Sequence, residues 1–477
     1  MRVLHAAAEL FPWVKVGGLG DVLGALPQAQ RSLGIKARLL LPAYPALKKV
    51  FPAASVVGEI GDLLGTGSAR FLLDRTPEGV PIYLLDAPYL FDRPGSPYED
   101  TGDSEVRFGA LSLGAAWLAK HGDSHHWKPE ILHCHDWQTG LAPAYLHYWG
   151  GVRPATVMTV HNLAYQGLYS REVLSRLALP DEAFQMAGVE FHGLVNFLKG
   201  GLQFADRLTT VSPTYAQEIQ GVELGCGLDG LLHHRRQDLV GILNGVDGHV
   251  WSPSTSPHLP THYSAQHRSG KMVCKNRLQQ EFHLVEAAEA PLFAVVSRLA
   301  TQKGLDLILA NVEHLVGLGA QLALLGAGDP ALEAGFHAAA HHHRGRVACR
   351  IGYDEALAHR ILAGADVLMV PSRFEPCGLT QLYALAYGTL PLVRRTGGLA
   401  DTVVDVNTTS MDEGKATGFV FEEATAEALG QTLDRACAFF THRAKDWEKV
   451  QVTGMKQDFS WRASAKGYLE LYQGLVG

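Results

Sequence analysis

The sequence predicts an α/β protein built from two domains of the same kind. Short apolar runs rich in β-branched residues alternate with segments of helical length, which is typical of a mostly parallel sheet covered by helices on both faces. The length of 477 residues suggests two or three domains at about 100–200 residues each. With 47% hydrophobic and 19% charged residues, the composition is that of an ordinary globular protein and not of a disordered or collagenous chain.

The predicted strands fall into two sets. Those of the first half are expected at residues 2–7, 36–41, 131–134, 156–160 and 207–211. Those of the second half are expected at residues 292–297, 321–325, 347–351, 367–370, 390–393 and 418–421. Because each set alternates with helical segments, each predicts its own parallel sheet.

The boundary between the two sets is expected just after Asn244, where an Asn-Gly pair marks a turn and the Ser/Pro-rich stretch 251–260 has weak periodicity. We therefore predict a first domain at 1–244, a linker or hinge at 245–260 and a second domain at 261–455. The tail at 456–477 has a helical pattern and carries aromatic residues, so we expect it to pack against a folded surface.

Charge and cysteine content exclude several classes of function. The formal net charge of −7, without any block of five basic residues, argues against nucleic acid or an anionic membrane as the main partner. No apolar run is long enough for a transmembrane helix, and Glu9 interrupts any signal-peptide pattern. The six cysteines are dispersed without a CxxC pair, which predicts reduced thiols and a cytoplasmic location.

The first candidate site is a glycine-rich turn, KVGGLGD at 15–21, between a predicted strand and a predicted helix. Glycines there let backbone N–H groups approach a phosphate, and Lys15 adds a full positive charge. The spacing fits neither the dinucleotide fingerprint nor the P-loop, which disfavours a nicotinamide or Walker-type site. By itself the turn is equally compatible with a structural role.

Polar residues follow two predicted strands of the first domain, in HCHDWQTG at 133–140 and TVHNLAYQG at 159–167. Ligands of open α/β sheets bind outside the carboxyl ends of the strands, so these positions favour a binding site. A zinc site at His133 and His135 is the alternative, but no third ligand is evident and a buried structural His133 is favoured. The run at 341–343, three histidines, is interpreted as a solvated helix end and not as a metal site.

The second domain offers two further clusters. In SRLATQKGLD, at 297–306, Arg298 and Lys303 can clamp a diphosphate, although two solvated cations on a surface turn would look the same. In PSRFEPCGLTQL, at 371–382, a carboxylate that can accept sugar hydroxyls precedes the start of a helix, whose N–H groups can face phosphate. Cys377 is interpreted as a packed thiol because no histidine partner can be placed.

Taken in order, these motifs resemble the bacterial glycogen synthase and plant starch synthase family of retaining glycosyltransferases. The likeness also includes DRPGSPY at 92–98, FLKGGLQFADRLTTVSPTYAQEI at 197–219, GILNGVD at 241–247 and GGLADTV at 397–403, and it spans essentially the whole chain. It implies the GT-B architecture, in which two Rossmann-like domains face a deep cleft and the C-terminal helix crosses back to the first domain.

The resemblance implies roles for individual residues. Lys15, Gly17 and Gly18 are similar to the contacts for the donor phosphate and the transferred glucose, with Asp21 in the same catalytic set. Arg298 and Lys303 look like the diphosphate clamp. The remaining implied roles are a glucose and distal phosphate cradle at Glu375, Cys377, Gly378, Leu379 and Thr380, adenine stacking at Tyr353, and a transfer site lined by His161, Asp136, Asn162 and Asn244.

Two positions depart from the wider pattern. Val16 stands where the family loop usually has Thr, and Tyr383 stands where many retaining GT-B enzymes have a second Glu; the bacterial branch resembles this chain in lacking it. Neither departure suggests an inactive enzyme, because Lys15 and the backbone of the turn remain.

The implied reaction moves glucose from ADP-glucose to the non-reducing 4-hydroxyl of an α-1,4-glucan such as glycogen, with retention of configuration. The motifs contain no close-set carboxylate pair, so we expect front-face attack and not a double displacement. We expect no metal and no pyridoxal phosphate. The alternatives are the same fold with UDP-glucose as the donor, a catalytically silent protein that binds glucan or nucleotide, and a glucan phosphorylase, which would need a cofactor lysine and a far longer chain.

Overall fold

The computed structural model describes residues 1–99 and 101–476 and divides the chain into two compact units. Unit 1 comprises Met1–Gly245 together with Trp461–Gly477, and unit 2 comprises Val246–Ser460. Residues 246–260, most of the predicted linker, therefore lie within unit 2, and the C-terminal helix lies with unit 1. Across the described residues, no helix combines the length and the apolar character needed to cross a bilayer.

Within its described residues, unit 1 contains a nine-stranded sheet and a three-stranded sheet. Its strands are β1 (Arg2–Ala6), β2 (Lys36–Pro42), β3 (Ser55–Ile60), β4 (Ala69–Arg75), β5 (Pro81–Asp86), β6 (Ile131–His135), β7 (Ala155–Val160), β8 (Leu168–Ser170), β9 (Glu190–Phe191), β10 (Leu194–Asn196), β11 (Arg207–Thr210) and β12 (Leu239–Gly241). The large sheet has the order β12-β11-β7-β6-β1-β2-β5-β4-β3. It is parallel from β12 to β5, and β4 runs antiparallel to both of its neighbours, β5 and β3.

The central strands form because their residues are apolar on both faces, as parallel strands covered by helices require. β1 is RVLHA and β6 is ILHCH, and β6 is buried at every position. Parallel pairing sets His5 of β1 opposite His133 of β6, and His135 of β6 opposite Thr159 of β7. Since side chains two apart share a face of a strand, this register gathers histidines from two strands on one face.

Unit 2 contains, among its described residues, a six-stranded parallel sheet in the order β15-β14-β13-β16-β17-β18. Its strands are β13 (Leu292–Val296), β14 (Gln321–Gly326), β15 (Val347–Ile351), β16 (Val367–Val370), β17 (Leu390–Arg394) and β18 (Phe419–Phe421). Two separate clusters of buried apolar side chains cover its two faces. A parallel sheet buried on both faces is the arrangement expected of a Rossmann-like domain.

Helices cover both sheets. Those of unit 1 before the second unit are α1 (Gly18–Ser32), α2 (Pro45–Val50), α3 (Pro88–Phe91), α4 (Ser104–His121), α5 (Leu141–Trp149), α6 (Val173–Arg176), α7 (Phe197–Phe204), α8 (Pro213–Glu218) and α9 (Asp229–His234). Those of unit 2 are α10 (Ser269–Glu281), α11 (Leu305–Ala310), α12 (Val312–Gly317), α13 (Pro330–His342), α14 (Glu355–Gly364), α15 (Thr380–Ala386), α16 (Gly397–Thr402), α17 (Thr408–Asp412), α18 (Ala426–His442) and α19 (Ala444–Met455). The last helix, α20 (Trp461–Val476), packs against α1 in unit 1.

The predicted fold class, α/β with two mostly parallel sheets, is confirmed, and every predicted strand is present. The strands not predicted from the sequence are β3, β4 and β5 at one edge, the strands of the small sheet, and β12. β5 reads PIYLLD, and an apolar run this short cannot be told from a buried helical segment by periodicity. Its pairing with β2 and β4 decides its conformation.

Candidate functional site

In unit 1, the glycine-rich turn joins β1 to α1, which begins at Gly18 with Gly17 as its N-cap. Lys15 Nζ donates to Asp21 Oδ1 at 2.7 Å across the turn. A Cβ atom placed on Gly17 would meet no described atom within 4 Å. The protein's own packing therefore does not require glycine there, whereas a ligand approaching the backbone would.

The buried side chain of Glu9 holds the backbone of this turn by hydrogen bonds. Its buried carboxylate accepts the N–H groups of Val16 at 2.8 Å and Gly17 at 3.0 Å, and the hydroxyl of Tyr98 donates to its other oxygen at 2.6 Å. Those two amides are thus engaged within the protein, so phosphate contacts of the turn are left to Lys15 and the amides at the start of α1. This role of Glu9 was not predicted from the sequence; the available signal was a carboxylate three residues after a buried apolar strand.

A cavity of about 400 Å³ adjoins the turn within unit 1. Lys15 and Val16 line one side of it, and Trp13, Tyr44, Arg93 and Arg107 contribute to the rest. The Tyr44 hydroxyl is buried and has no hydrogen-bond partner among the described residues. Aromatic faces beside a few polar groups are typical of a small-molecule site and suit the mixed surface of a sugar.

Asp136 directly follows β6 and fixes the loop after β7. Its backbone has a φ of 57° and a ψ of −177°, a conformation that residues other than glycine rarely adopt. Its carboxylate accepts the backbone N–H of His161 at 2.7 Å. Burial raises the pKa of Asp136 to about 7, despite hydrogen bonds from the backbone of His161 and Asn162 that lower it. The structure therefore brings Asp136, His161 and Asn162 together at the carboxyl ends of neighbouring strands, where the sequence placed them.

The imidazole ring of His161 is positioned by a second histidine, the last residue of β6. Its Nε2 lies 3.0 Å from Nδ1 of His135. Burial lowers the pKa of His161 to about 3, so the ring is neutral at physiological pH. His161 is only partly exposed at the edge of the site.

Three of the histidines, His5, His133 and His135, have ring nitrogens close enough together to hold a metal ion. The structure shows both ring nitrogens of His133 engaged, with Tyr472 Oη at 2.6 Å and Thr159 Oγ1 at 2.5 Å. Those of His5 face Gln30 and His135. A metal here would have to displace an existing hydrogen bond at each ring. His342 and His343 of the solvated run lie beside the exposed Glu313, with His343 Nε2 2.8 Å from its carboxylate.

Asn244 lies near the end of unit 1, just after β12. Its Oδ1 is buried and has no hydrogen-bond partner among the described residues. A buried acceptor left unpaired costs about 1–3 kcal/mol. Such a cost is tolerated at positions that a ligand completes, which favours the predicted binding role.

In unit 2, the structure brings Lys303 and Glu375 together. Lys303 Nζ donates to Glu375 Oε2 at 2.6 Å, and the Ser372 hydroxyl donates to the same oxygen at 2.8 Å. Gly304 permits this approach, because a Cβ there would lie 2.1 Å from the carbonyl oxygen of Pro371. Ser372 was not among the predicted site residues, although it stands in the same motif.

Arg298 differs from Lys303. Its side chain is exposed just after β13, and none of the described residues makes a hydrogen bond or ion pair with it. An arginine without an internal partner, beside a lysine that has one, leaves its planar fork available to an external anion.

The loop from Glu375 to Thr380 is fixed by close backbone contacts with the Gly397-Gly398 pair. A Cβ on Gly398 would lie 2.0 Å from the carbonyl oxygen of Cys377, and the Gly398 N–H donates to the Glu375 carbonyl at 3.1 Å. Gly378 has a φ of 71°, followed by Leu379 as the N-cap of α15 and Thr380 as its first residue. The Cys377 side chain is buried, as expected of a packed thiol.

Two tyrosines have opposite environments. Tyr353 is 80% exposed, and its hydroxyl donates to Glu355 at 2.8 Å, which leaves a ring face open to solvent. Tyr383 is buried and stacks on Trp251 at 3.9 Å, and Trp251 stacks on His359 at 4.0 Å. The position that carries a second Glu in many GT-B enzymes is therefore part of a packed aromatic stack.

The chain is similar over its whole length to known glycogen and starch synthases. Residues 2–234 match the family described as the starch synthase catalytic domain, and residues 276–439 match glycosyl transferases group 1. The glycogen synthase of Paramagnetospirillum magneticum is 48% identical over 485 residues, covering 100% of this chain and 98% of the relative. That of Yersinia pestis (strain Pestoides F) is 51% identical over 483 residues, covering 100% of both. The catalytic domain of starch synthase IV from Arabidopsis thaliana, solved bound to ADP and acarbose, is 32% identical with a TM-score of 0.88, covering 100% of this chain and 99% of that one.

Proposed function

Because the chain belongs to the family of glycogen synthases and starch synthases, we propose that it transfers glucose from ADP-glucose to the non-reducing 4-hydroxyl of an α-1,4-glucan. The configuration at the transferred carbon is retained. Glycogen is the proposed acceptor, and the enzyme is a hexosyltransferase of the GT-B class with two Rossmann-like domains.

The arrangement of Lys303, Glu375 and Arg298 in unit 2 carries the proposal. Breaking the glucosyl bond leaves two negatively charged phosphates, so the reaction is accelerated by cations already in place where that charge develops. Lys303 is held by Glu375, and Arg298 has its guanidinium free of described partners. We assign both cations to the diphosphate, with Glu375 and the backbone from Cys377 to Thr380 as the cradle for glucose and the distal phosphate.

Unit 1 is assigned the transferred glucose and the acceptor. Lys15, oriented by its 2.7 Å bond to Asp21, the uncrowded Gly17 and the amide of Gly18 at the start of α1 are proposed contacts for the donor. His161, Asn162 and Asn244 are proposed contacts for the reacting sugars. The unpaired Oδ1 of Asn244 supports this role, because a sugar hydroxyl would satisfy it.

Retention is proposed to proceed by front-face attack. A double displacement needs a second carboxylate close to the first, whereas the candidate position, Tyr383, lies in the stack with Trp251. The departing phosphate oxygen then takes the proton of the acceptor hydroxyl as the new glycosidic bond forms. His161 is neutral with a pKa near 3, so it is assigned hydrogen bonding and not proton storage.

We propose that the reaction needs neither a metal ion nor pyridoxal phosphate, since Lys303 and Arg298 already provide positive charge for the diphosphate. The exposed ring of Tyr353 is assigned to the nucleotide base. Stacking does not distinguish adenine from uracil, so UDP-glucose remains the second candidate donor. A cytoplasmic location is proposed because the six cysteines are free thiols, which suits a reducing compartment.

The test is incorporation of labelled glucose into glycogen from ADP-glucose or UDP-glucose, with and without EDTA. We expect label in the precipitated polymer from ADP-glucose alone, unchanged by EDTA. Incorporation from UDP-glucose would overturn the choice of donor. Incorporation from neither, together with ADP binding, would indicate a silent binding protein, and a loss on adding EDTA would overturn the metal-free assignment.

A further inference from the structure

A chain of buried hydrogen bonds runs from α1 to His161 through the sheet of unit 1. Gln30 Oε1 lies 2.7 Å from His5 Nε2, and His5 Nδ1 lies 3.0 Å from His135 Nε2. His135 Nδ1 in turn lies 3.0 Å from His161 Nε2. Gln30, His5 and His135 are fully buried. The function proposed above gives a role only to His161. The buried hydrogen bonds of Gln30, His5 and His135 therefore need an explanation.

All of these rings are neutral. Burial lowers the pKa of His5 to about 4 and that of His161 to about 3, and it lowers the pKa of His135 well below its usual range. A neutral imidazole carries one N–H, so within each ring one nitrogen donates and the other accepts. If the donor is fixed at one end of this series of hydrogen bonds, the tautomer of every histidine ring in the series is therefore fixed as well.

Gln30 provides that fixed end. Its Nε2 donates to the Tyr472 hydroxyl at 3.1 Å, so its Oε1 is the atom that faces His5. An amide oxygen only accepts, and His5 must donate from Nε2 and accept at Nδ1. His135 then donates from Nε2 to His5 and accepts at Nδ1, where His161 donates from its own Nε2.

A second branch from the same amide has the same polarity. The Tyr472 hydroxyl accepts from Gln30 and so donates to His133 Nδ1 at 2.6 Å. His133 must then carry its proton on Nε2, which faces Thr159 Oγ1 at 2.5 Å. The Thr159 hydroxyl continues to Thr209. In both branches the single ring proton of each histidine lies on Nε2. If Oε1 and Nε2 of Gln30 exchanged places, that proton would move to Nδ1 in every ring.

We propose that Gln30 is a positioning residue that fixes the tautomer of His161, through His5 and His135, so that Nδ1 of His161 accepts a hydrogen bond from a sugar hydroxyl. Among the described residues no group donates to this Nδ1. The tautomer follows from the orientation of the Gln30 amide and the hydrogen bonds beyond it, whereas the sugar hydroxyl rests on the function proposed above. In the opposite tautomer Nδ1 would carry a hydrogen and could not accept.

The first test is the nitrogen NMR spectrum of the ligand-free protein labelled with ¹⁵N-histidine. The signals of His161 are assigned by their loss in His161→Gln. We expect a neutral ring with its hydrogen on Nε2 and an unprotonated Nδ1. A hydrogen on Nδ1 of His161 in the wild-type protein would overturn the proposal, whatever the enzyme's activity.

The second test removes the fixed end. Gln30→Met keeps the length of the side chain but removes its acceptor, so we expect His161 to populate both tautomers and kcat/KM to fall roughly 3- to 10-fold, as for the loss of one hydrogen bond. A spectrum unchanged in folded Gln30→Met would overturn the proposal. If Gln30→Met does not fold, the tautomer of His161 in the wild-type spectrum still tests the proposal.

The matched control is Gln321→Met in unit 2. Gln321 is equally buried and makes two hydrogen bonds, to Gln279 and to the Val285 carbonyl. We expect a comparable loss of stability with the His161 spectrum unchanged. An equal change in that spectrum would show that the effect is general and would overturn the proposal. Failure of wild-type glucosyl transfer, with the expected tautomer present, would refute the proposed function and leave the assignment of Gln30 standing.

Discussion

At the scale of single residues, buried carboxylates hold the backbone beside the candidate sites. Glu9 accepts two amides of the glycine turn, and Asp136 accepts the amide of His161. A buried carboxylate is costly unless it is hydrogen-bonded, so these contacts both stabilise the carboxylates and fix the loops. Both residues act through the positions of neighbouring backbone atoms.

Replacing Glu9 tests its hold on the turn. Glu9→Met removes both acceptor oxygens, so we expect the free energy of unfolding to fall by about 1–3 kcal/mol and kcat/KM to fall about 10-fold or more. Glu9→Gln keeps an oxygen for the two amides and should lose less than half as much. Urea unfolding and initial rates measure both effects, and Glu182→Met at an exposed position is the control. Equal rates for Glu9→Met and wild type would refute the role.

Arg298→Ala separates catalysis from folding. Arg298 is exposed and has no described side-chain partner, so the free energy of unfolding should change by no more than about 0.5 kcal/mol. If the guanidinium stabilises the departing diphosphate, kcat should fall about 10²- to 10³-fold. The control is Arg277→Ala, another exposed arginine of unit 2, with unchanged kcat. An unchanged kcat for Arg298→Ala would discard the diphosphate clamp.

At the scale of elements, β1 and β6 concentrate buried imidazoles in unit 1. Because the strands are parallel and in register, His5, His133 and His135 share one face of the sheet and contact one another. The unfolded chain can protonate these rings at pH values where the native state cannot. The stability of unit 1 is therefore linked to pH.

We expect the free energy of unfolding to rise from pH 4.5 to 6.5. The pKa of His5 is lowered to about 4 and that of His161 to about 3, so the unfolded state binds their protons over this range and the native state does not. Asp136, with its pKa raised to about 7, acts in the opposite direction, because the native carboxyl holds a proton that the unfolded one has lost. The two histidines outweigh the one carboxyl.

Urea unfolding at several pH values measures this dependence. His5→Gln should reduce the slope by up to about 1.4 kcal/mol per pH unit, the value for one proton. His234→Gln at an exposed position should leave it unchanged. A slope that is the same in wild type and His5→Gln would contradict the prediction.

The C-terminal helix α20 is part of the core of unit 1. It buries Trp461, Tyr468 and Tyr472, and Tyr472 bonds to both Gln30 and His133. Each large side chain contributes about 1.5–3 kcal/mol by burial, which together approaches the whole stability of a domain.

A chain that ends at Ser460 should therefore have an unfolded unit 1. In limited proteolysis, we expect rapid cleavage within residues 1–245 while 246–460 persists. A chain that ends at Tyr472 keeps every fully buried side chain of α20 and should be as resistant as the full chain. Resistance of unit 1 in the shorter chain would show that α20 is dispensable.

At the scale of the whole molecule, each unit has its own sheet and its own buried apolar clusters. Each can therefore respond separately to a ligand. The diphosphate and base contacts proposed here, Arg298, Lys303, Glu375 and Tyr353, all belong to unit 2.

ADP should stabilise unit 2 selectively. At a concentration 100 times its Kd, the gain is about 2.7 kcal/mol. Hydrogen exchange should slow at 298–304 and 372–380. Adenosine, which lacks the diphosphate, should protect these segments far less. Protection confined to unit 1 would contradict the assignment of the nucleotide.

The sequence was informative wherever chemistry is local. The glycine turn, the strand ends at His135 and Asp136, and the Lys303 and Glu375 motifs could all be identified from residue type and spacing, and they lie where parallel strands end. Glu9 and Ser372 could not be assigned roles, because their partners depend on how loops fold onto them. The edge strands were missed because pairing, and not periodicity, decides their conformation.

By itself, the sequence determined the fold class, the two mostly parallel sheets and the family, since hydrophobic patterns and ordered motifs are properties of the chain. Only the tertiary structure decided which atoms meet. Gln30, His5 and His135 are up to 130 residues apart, and His133 is 339 residues from Tyr472. Hydrogen bonds need atoms within about 3 Å, and such distances between remote segments are set by strand register and helix packing, which residue spacing does not encode.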